Sequence, residues 1–346
     1  MVIPGKLVDE HVALAAIAWL VAAALPGPCG AQAAMQYSGP CDASAAVALD
    51  GEHFVVGNDE NNTLHVYRRG QAQAVGALNL SKFLGTRTDR EADIEGAASM
   101  GTRTYWITSH ARNSGGKARQ DRHRFFATEV VPGQPPSLRP VGQPYTRLLN
   151  DVEASGALKP YRLADAARLA AEAEGGLNIE GLAATSDGKL LIGLRNPLAH
   201  QRALVIPLEN PAELIEGKRA KFGTPIELAF DGRGIRSIAL VSSGYLIVAG
   251  PTADRGSFAL YRWSGRTGDA ATPVAGVELG NLRPEAAFAI PQTGRVQLLS
   301  DDGGVKIAGV ECKKRPATRQ TFRGLAITPA VNGEKSTKSQ GLEQGK

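Results

Sequence analysis

An all-β fold, a β-propeller with five recognisable blades, follows from three features of the chain. The first is a repeat. Asp93-Ile94-Glu95-Gly96-Ala97-Ala98 returns as Asn178-Ile179-Glu180-Gly181-Leu182-Ala183, and each copy leads into a turn and a run of β-formers. Looser copies begin at Asp42, Gly234 and Arg283, and Thr321-Phe322-Arg323-Gly324 is a fainter one. The second is spacing, since most copies start about 50 residues apart, near the period of a propeller blade. The third is composition: 40 glycines, 5% aromatic residues and few long apolar periodic runs favour short strands joined by turns over a helical bundle. A sandwich or other all-β repeat is the competing architecture.

Residues 1–33 read as an export signal. Lys6 precedes an apolar run over 12–25, Pro26, Gly27 and Pro28 break it, and Ala31-Gln32-Ala33 supplies an Ala-x-Ala cleavage pattern. Asp9 and Glu10 depart from the usual basic lead-in, and Pro28 makes Cys29 a poor lipidation site. The run is short for a membrane span, so the processed chain is expected without a transmembrane anchor, in the periplasm or secreted. Cleavage after Ala33 leaves Cys41 and Cys312. In an oxidising compartment two cysteines invite a bridge, which would clasp the ends of a ring; two separate thiols are the alternative.

The propeller is expected over 34–328. Its first unit places strands at 45–49, 53–57 and 63–68. The third places them at 179–184, 189–194, 203–208 and 225–229, with Ser186-Asp187-Gly188 as a turn, and the fourth at 235–241, 245–249 and 258–263. The long interval between the second and third heads holds two insertions. One, 113–122, is polar; the other, 161–174, is alanine-rich with helical spacing and is expected as a surface helix. The segment 322–328 either heads a sixth blade or serves as an outer strand of the fifth, and 35–38 is an alternative strand to close the ring. Residues 329–346 have little to bury and are expected to be disordered.

A net charge of +5 spread through the chain gives no support to nucleic-acid binding. Its interest lies in where charge converges. In a propeller, the heads of the innermost strands and the loops joining second to third strands share one mouth of the central channel. The heads are Ser44, Glu95, Glu180, Arg236 and Glu285, with Asp42, Asp93, Asn178, Arg233 and Arg283 beside them. The loops bring Asn58-Asp59-Glu60-Asn61, Ser109-His110-Ala111-Arg112-Asn113, Arg195-Asn196 and Asp301-Asp302.

Carboxylates around a narrow axis repel one another unless a cation stands between them. Two solutions stay open. Glu95, Glu180 and Glu285, with Asp301 or Asp302, could hold calcium, which accepts six to eight oxygens. Alternatively Arg195, Arg236 and Arg283 neutralise them as a structural ion-pair ring. Zinc does not fit, because the 6 histidines show no ligand spacing. His110 and Glu180 are the candidate catalytic residues, His110 as proton carrier, with a plain loop hydrogen bond as its simpler role. Arg112, Asn113, Arg195, Asn196, Arg236 and Arg283 are the candidate contacts for a small anionic or hydroxylated ligand, since guanidinium recognises phosphate and carboxylate alike. Ser109 beside His110 is no dyad, because strand neighbours point apart.

Taken in order, Gly57-Asn58-Asp59-Glu60-Asn61, Asp93-Ile94-Glu95-Gly96, Ser109-His110-Ala111-Arg112-Asn113, Arg122-His123-Arg124, Asn178-Ile179-Glu180-Gly181-Leu182, Arg195-Asn196-Pro197, Gly234-Ile235-Arg236-Ser237-Ile238 and Leu299-Ser300-Asp301-Asp302-Gly303 resemble a family of exported bacterial proteins known only as a domain of unknown function. The resemblance spans about residues 37 to 328 and implies a propeller, without an activity. More distantly, the Glu-Gly-Leu-Ala heads are similar to those of esterase-like phytase propellers and calcium-dependent gluconolactonase-type propellers. Ser44 and Arg236 depart from a full carboxylate ring. The functional expectation is a calcium-dependent hydrolase of phosphoesters or other esters working at the channel mouth through metal-bound water. The alternative is a non-catalytic ligand-binding or protein-interaction propeller with the charged ring as structural glue.

Overall fold

In the computed structural model, Met1 and residues 33–87, 89–253 and 255–329 are described. The chain divides into Met1–Ala31 and Gln32–Lys346, and the propeller is the described part of the second unit. The expected leader over 1–33 and tail from 329 onward lie outside the described residues, save for their borders with the propeller. Among the described residues no helix is long and apolar enough to cross a membrane.

The earliest strand, β1 (Met35–Ser38), stands apart from its sequence neighbours. The first blade is β2 (Ala45–Ala48), β3 (His53–Gly57), β4 (Thr63–Arg68) and β5 (Ala74–Asn79). The second is β6 (Ile94–Met100), β7 (Arg103–Thr108), β8 (Phe125–Val131) and β9 (Ser137–Tyr145). The third is β10 (Asn178–Ala184), β11 (Leu190–Asn196), β12 (Ala203–Leu208) and β13 (Ile226–Leu228). The fourth is β14 (Gly234–Val241), β15 (Gly244–Gly250), β16 (Ala259–Trp263) and β17 (Thr272–Pro273). The fifth begins with β18 (Pro284–Ala289) and β19 (Val296–Ser300), passes through a hairpin of β20 (Lys306–Ile307) and β21 (Val310–Glu311), and resumes with β22 (Thr321–Ile327). Its outermost strand is β1, paired to β22 from Met35 opposite Gly324 to Ser38 opposite Thr321.

Both sequence options for the fifth blade therefore hold at once, and no sixth head occurs among the described residues. Arg323 lies on a third strand, where its guanidinium reaches Asp302 at 2.7 Å. The Cys41–Cys312 disulfide spans 271 residues and clasps the same blade to the chain entering the first.

The innermost strands neighbour one another around a ring, β2 to β6 to β10 to β14 to β18 and back to β2. Each blade-to-blade interface carries its own apolar cluster. Ile94, Trp106 and Phe126 meet Val55 and Val66 between the first two blades, while Leu246 and Val248 meet Leu298 and Leu325 between the last two. A blade buried on both faces reads as a continuous apolar run, which is why Leu190-Leu191-Ile192-Gly193-Leu194 shows no alternation. Trp106 is fully buried and its indole donates to the Thr128 hydroxyl at 3.0 Å, so its large apolar surface carries no unsatisfied donor.

The alanine-rich insertion differs from expectation. Only Leu163–Ala166 is helical within it, and a separate helix, Leu148–Ala154, precedes it. Four residues form one turn, and the left-handed Arg162 at its start turns the chain rather than extending the helix. Leu163 and Ala166, with Leu148 and Leu158 ahead of them, are buried in the cluster between the second and third blades, so the insertion is pinned to that interface at two residues while the rest of it, such as Leu169, stays on the surface.

Candidate functional site

The heads owe their direction to a shared irregularity. In β10, Ile179 pairs with Leu194 and Gly181 with Gly193, so Glu180 is the extra residue of a β-bulge. Glu95, Arg236 and Glu285 are skipped in the same way in β6, β14 and β18. A bulge leaves one residue outside the ladder and re-aims its side chain, and all four line a single cavity. The flanking residues suit that geometry. Ile94 and Ile179 are buried, and a Cβ on Gly96 or Gly181 would come within 2.9 Å of Leu182 Cβ or Ile235 Cγ2 of the next blade. Ile-Glu-Gly is thus apolar anchor, extruded carboxylate and close blade contact. The first blade has no such bulge, and Ser44 lies buried just before its ladder, outside the cavity.

The cavity has a volume of about 420 Å³ and is almost wholly polar. The other end of the axis, about 240 Å³, is walled by small apolar residues such as Ala46, Ala98, Ala183, Ala239 and Ala287 from the five inner strands. Charged side chains therefore gather at one of the two mouths.

One wall of that mouth is self-neutralised. Arg236 places Nε 2.8 Å from Glu180 and ion-pairs with Glu285 through its terminal nitrogen. Arg195 reaches Glu180 at 3.1 Å and donates to the carbonyls of Pro251 and Ala253. The Asn178 amide donates at 2.8 Å to the same Glu180 oxygen that accepts from Arg195. Burial lowers the Arg236 pKa, with Glu180 opposing it; burial also acts to lower Arg195, but Glu180, Glu172 and Glu95 together raise it.

The opposite wall is acidic. Asp42 and Asp301 form a backbone bridge and a carboxyl–carboxylate hydrogen bond. Burial, then this bond and the nearby Asp59, push Asp42 up to about 12. Burial also acts to raise Asp301, but the bond from Asp42, the Gly303 N–H at 2.8 Å and Arg283 together hold it below the usual range. The two carboxyls therefore hold one proton between them. Asp59, Asp93 and Glu95 complete this wall, with oxygens lying within 4.8 Å of one another. Asp93 is ion-paired to Arg122 at 2.8 Å and accepts from Ser109 on the same oxygen. Burial raises all three acids, helped for Glu95 by Glu180, Asp93 and Asp59.

Of the residues singled out in the sequence, Glu95, Glu180, Glu285, Asp301, Arg195, Arg236 and Arg283 meet here. Others do not. Asp302 lies outside the cavity and is bound by Arg323 and Ser300. Asn196 stands behind the wall, its amide donating to the carbonyls of Ala171 and Ala173, which holds the loop carrying Glu172 to the rim. Arg112 donates to the carbonyls of Gly116 and Ala167, and Asn113 accepts from the Lys117 N–H within its own loop. His110 is buried with Nδ1 2.8 Å from the Thr108 carbonyl and stacks on His123 at 5.6 Å. Burial, then His123, pushes its pKa down to about 3, so it makes the simpler loop hydrogen bond and does not reach the cavity. Glu172, Arg255, Glu311 and Lys313 line the rim without having been anticipated. Lys313 had a legible signal, because it follows Cys312 and the disulfide draws it over the mouth.

A family model described as a protein of unknown function, DUF3616, matches residues 42–127 and 153–296. The chain belongs to that family. The match to the DUF3616 model leaves out β1, the second half of β8, all of β9 and the chain after the first residue of β19, and it spans all five bulged or equivalent heads. No curated protein matches the chain. Glutaminyl cyclase of Myxococcus xanthus is similar in structure at TM-score 0.42 and 15% identity, over 84% of this chain and 94% of that one. The PQQ-bound aldose sugar dehydrogenase of Streptomyces coelicolor is similar at TM-score 0.43 and 9% identity, over 85% and 97%. Neither bears on the chemistry of the channel mouth in this DUF3616 protein.

Proposed function

We propose that the channel mouth binds a small anionic or hydroxylated molecule and hydrolyses it at an ester or phosphoester bond, in an exported protein with calcium as its expected ion. The observation that carries the reading is the bridged Asp42–Asp301 carboxyl pair, sharing one proton on the wall of a polar cavity. Such a couple supplies both roles of general acid–base hydrolysis. Asp301 takes a proton from the attacking water as its oxygen bonds to the carbonyl carbon or phosphorus. Asp42 gives its proton to the oxygen that leaves. Arg283, Arg255 and Lys313 on the same cavity supply positive charge for an anionic group. The disulfide supports export, since such bonds persist in oxidising compartments.

A second reading, binding without catalysis, is favoured by the position of His110, which leaves the cavity without an imidazole among its lining residues. Hydrolysis of p-nitrophenyl phosphate, p-nitrophenyl acetate and an aliphatic lactone, compared between wild type and Asp42→Asn, separates the two. Loss of the proton donor should lower kcat by about 100-fold or more. Equal turnover by the variant would remove Asp42 from the chemistry. No turnover, with stabilisation by sugar phosphates or carboxylates in thermal melts, would leave a binding propeller.

A further inference from the structure

Every inward carboxylate on the Arg236 side of the mouth has its own cation or amide partner, as Glu180 and Glu285 show. Glu95 does not. It is 8% exposed, lines the cavity, and makes no hydrogen bond or ion pair among the described residues. Asp59 faces it from the loop between β3 and β4 of the neighbouring blade, and its Oδ1 is shielded from solvent with no partner. Asp93 sits two residues before Glu95 with a left-handed φ of 65°, which turns its carboxylate to the same point. Arg122 and Ser109 both engage Asp93 Oδ2, so Oδ1 carries neither bond.

Arg122 divides its charge between Asp93 and Glu91, so the three carboxylates of this poorly solvated pocket lack a full counter-charge. Buried charges of one sign are costly unless a counter-ion joins them. The donor set is all oxygen, with no sulfur or imidazole, which selects a hard cation. The oxygens all lie within 4.8 Å of one another, close enough for one ion with about 2.4 Å metal–oxygen bonds to reach all three.

We propose that Asp59, Asp93 and Glu95 form a divalent-cation site of calcium type in the wall between the first and second blades, open to the cavity for water or ligand to complete the shell. Glu180, Glu285 and Asp302, expected as ligands from the sequence, are arginine partners instead, and Asp301 is engaged with Asp42. The site deepens the reading of the channel mouth, and its test needs no substrate, so failure of the hydrolase reading and failure of the site are separate results.

The test is calcium titration of the chelator-stripped full chain by calorimetry and by thermal melting. One ion per chain and a Tm rise of about 4 °C at about a hundredfold excess over Kd are expected. Glu95→Gln and Asp59→Asn should each abolish that rise. Because each removes a charge lacking a partner, both should fold and melt, stripped, no lower than stripped wild type. Absence of calcium binding by wild type, or a full calcium shift retained by both variants, would overturn the assignment.

Discussion

Arg236→Met tests whether the charged ring holds the propeller together. Arg236 is 4% exposed and stands between Glu180 and Glu285, themselves 3% and 6% exposed. Its Nε lies 2.8 Å from Glu180. At an effective dielectric near 20 such a contact has a gross Coulomb energy of about 6 kcal/mol, most of which offsets desolvation. Removing one partner of a buried pair leaves an uncompensated charge, with a net cost of about 3–5 kcal/mol. Glu180 keeps Arg195 and Asn178, so the cost concentrates on Glu285. With an unfolding entropy of about 0.6 kcal/mol/K for a chain of this size, Tm should fall by about 5–8 °C. The assay is urea and thermal unfolding followed by circular dichroism, on the single variant and on Arg236→Met/Glu285→Gln. Neutralising Glu285 should return about 1–3 kcal/mol of the loss, as a coupled pair requires. A single-variant cost below about 1 kcal/mol, or a double variant weaker than the single, would refute the claim that this pairing is structural.

Reducing or replacing the Cys41–Cys312 bond, which closes 271 residues, should lower stability by up to about 5 kcal/mol on chain-entropy grounds; melts with and without reductant check it, and superimposable curves would discard the clasp. Gly181→Ala sets a methyl 2.9 Å from Ile235 Cγ2 and 3.1 Å from the Gly193 Cα, so a loss of about 1–3 kcal/mol is expected in urea unfolding. His110, held neutral with its pKa pushed down to about 3, should tie stability to acid. Between that value and the ordinary range near 6.5 the unfolded chain binds the extra proton, so its contribution is complete above about pH 6.5 and is lost as pH falls toward 3. His110→Gln should flatten that part of the pH–stability profile, and an unchanged slope would contradict the burial argument.

The architecture was legible because its period is written in residues that do physical work at each blade. Ile94 and Ile179 anchor the interface, and Gly96 and Gly181 admit the next blade. The third blade's strands fall within a residue or two of expectation. The site was legible as a place more than as a set of partnerships. Head position forecasts which side chains reach the axis, but whether Glu180 meets a metal or an arginine depends on ångström-scale separations that no linear pattern encodes. His110 shows the limit most clearly. Its loop was assigned to the mouth, yet a left-handed backbone, φ 54°, turns the ring inward onto Thr108 and His123. The insertion misled for a related reason: alanine spacing favours helix, but buried Leu158 and Leu163 fold it onto the blade interface after a single turn.

The bulge that frees each head residue from its ladder separates two kinds of constraint. Residues that pair across strands answer to the sheet, while Glu95, Glu180, Arg236 and Glu285 answer only to the axis. The bulge backbone therefore takes acid and base alike in one slot, and only their mutual charge balance selects among them. Exchanging a head rewrites the electrostatics of the mouth without touching the strand ladder, and what it costs is set by the partner charge left behind.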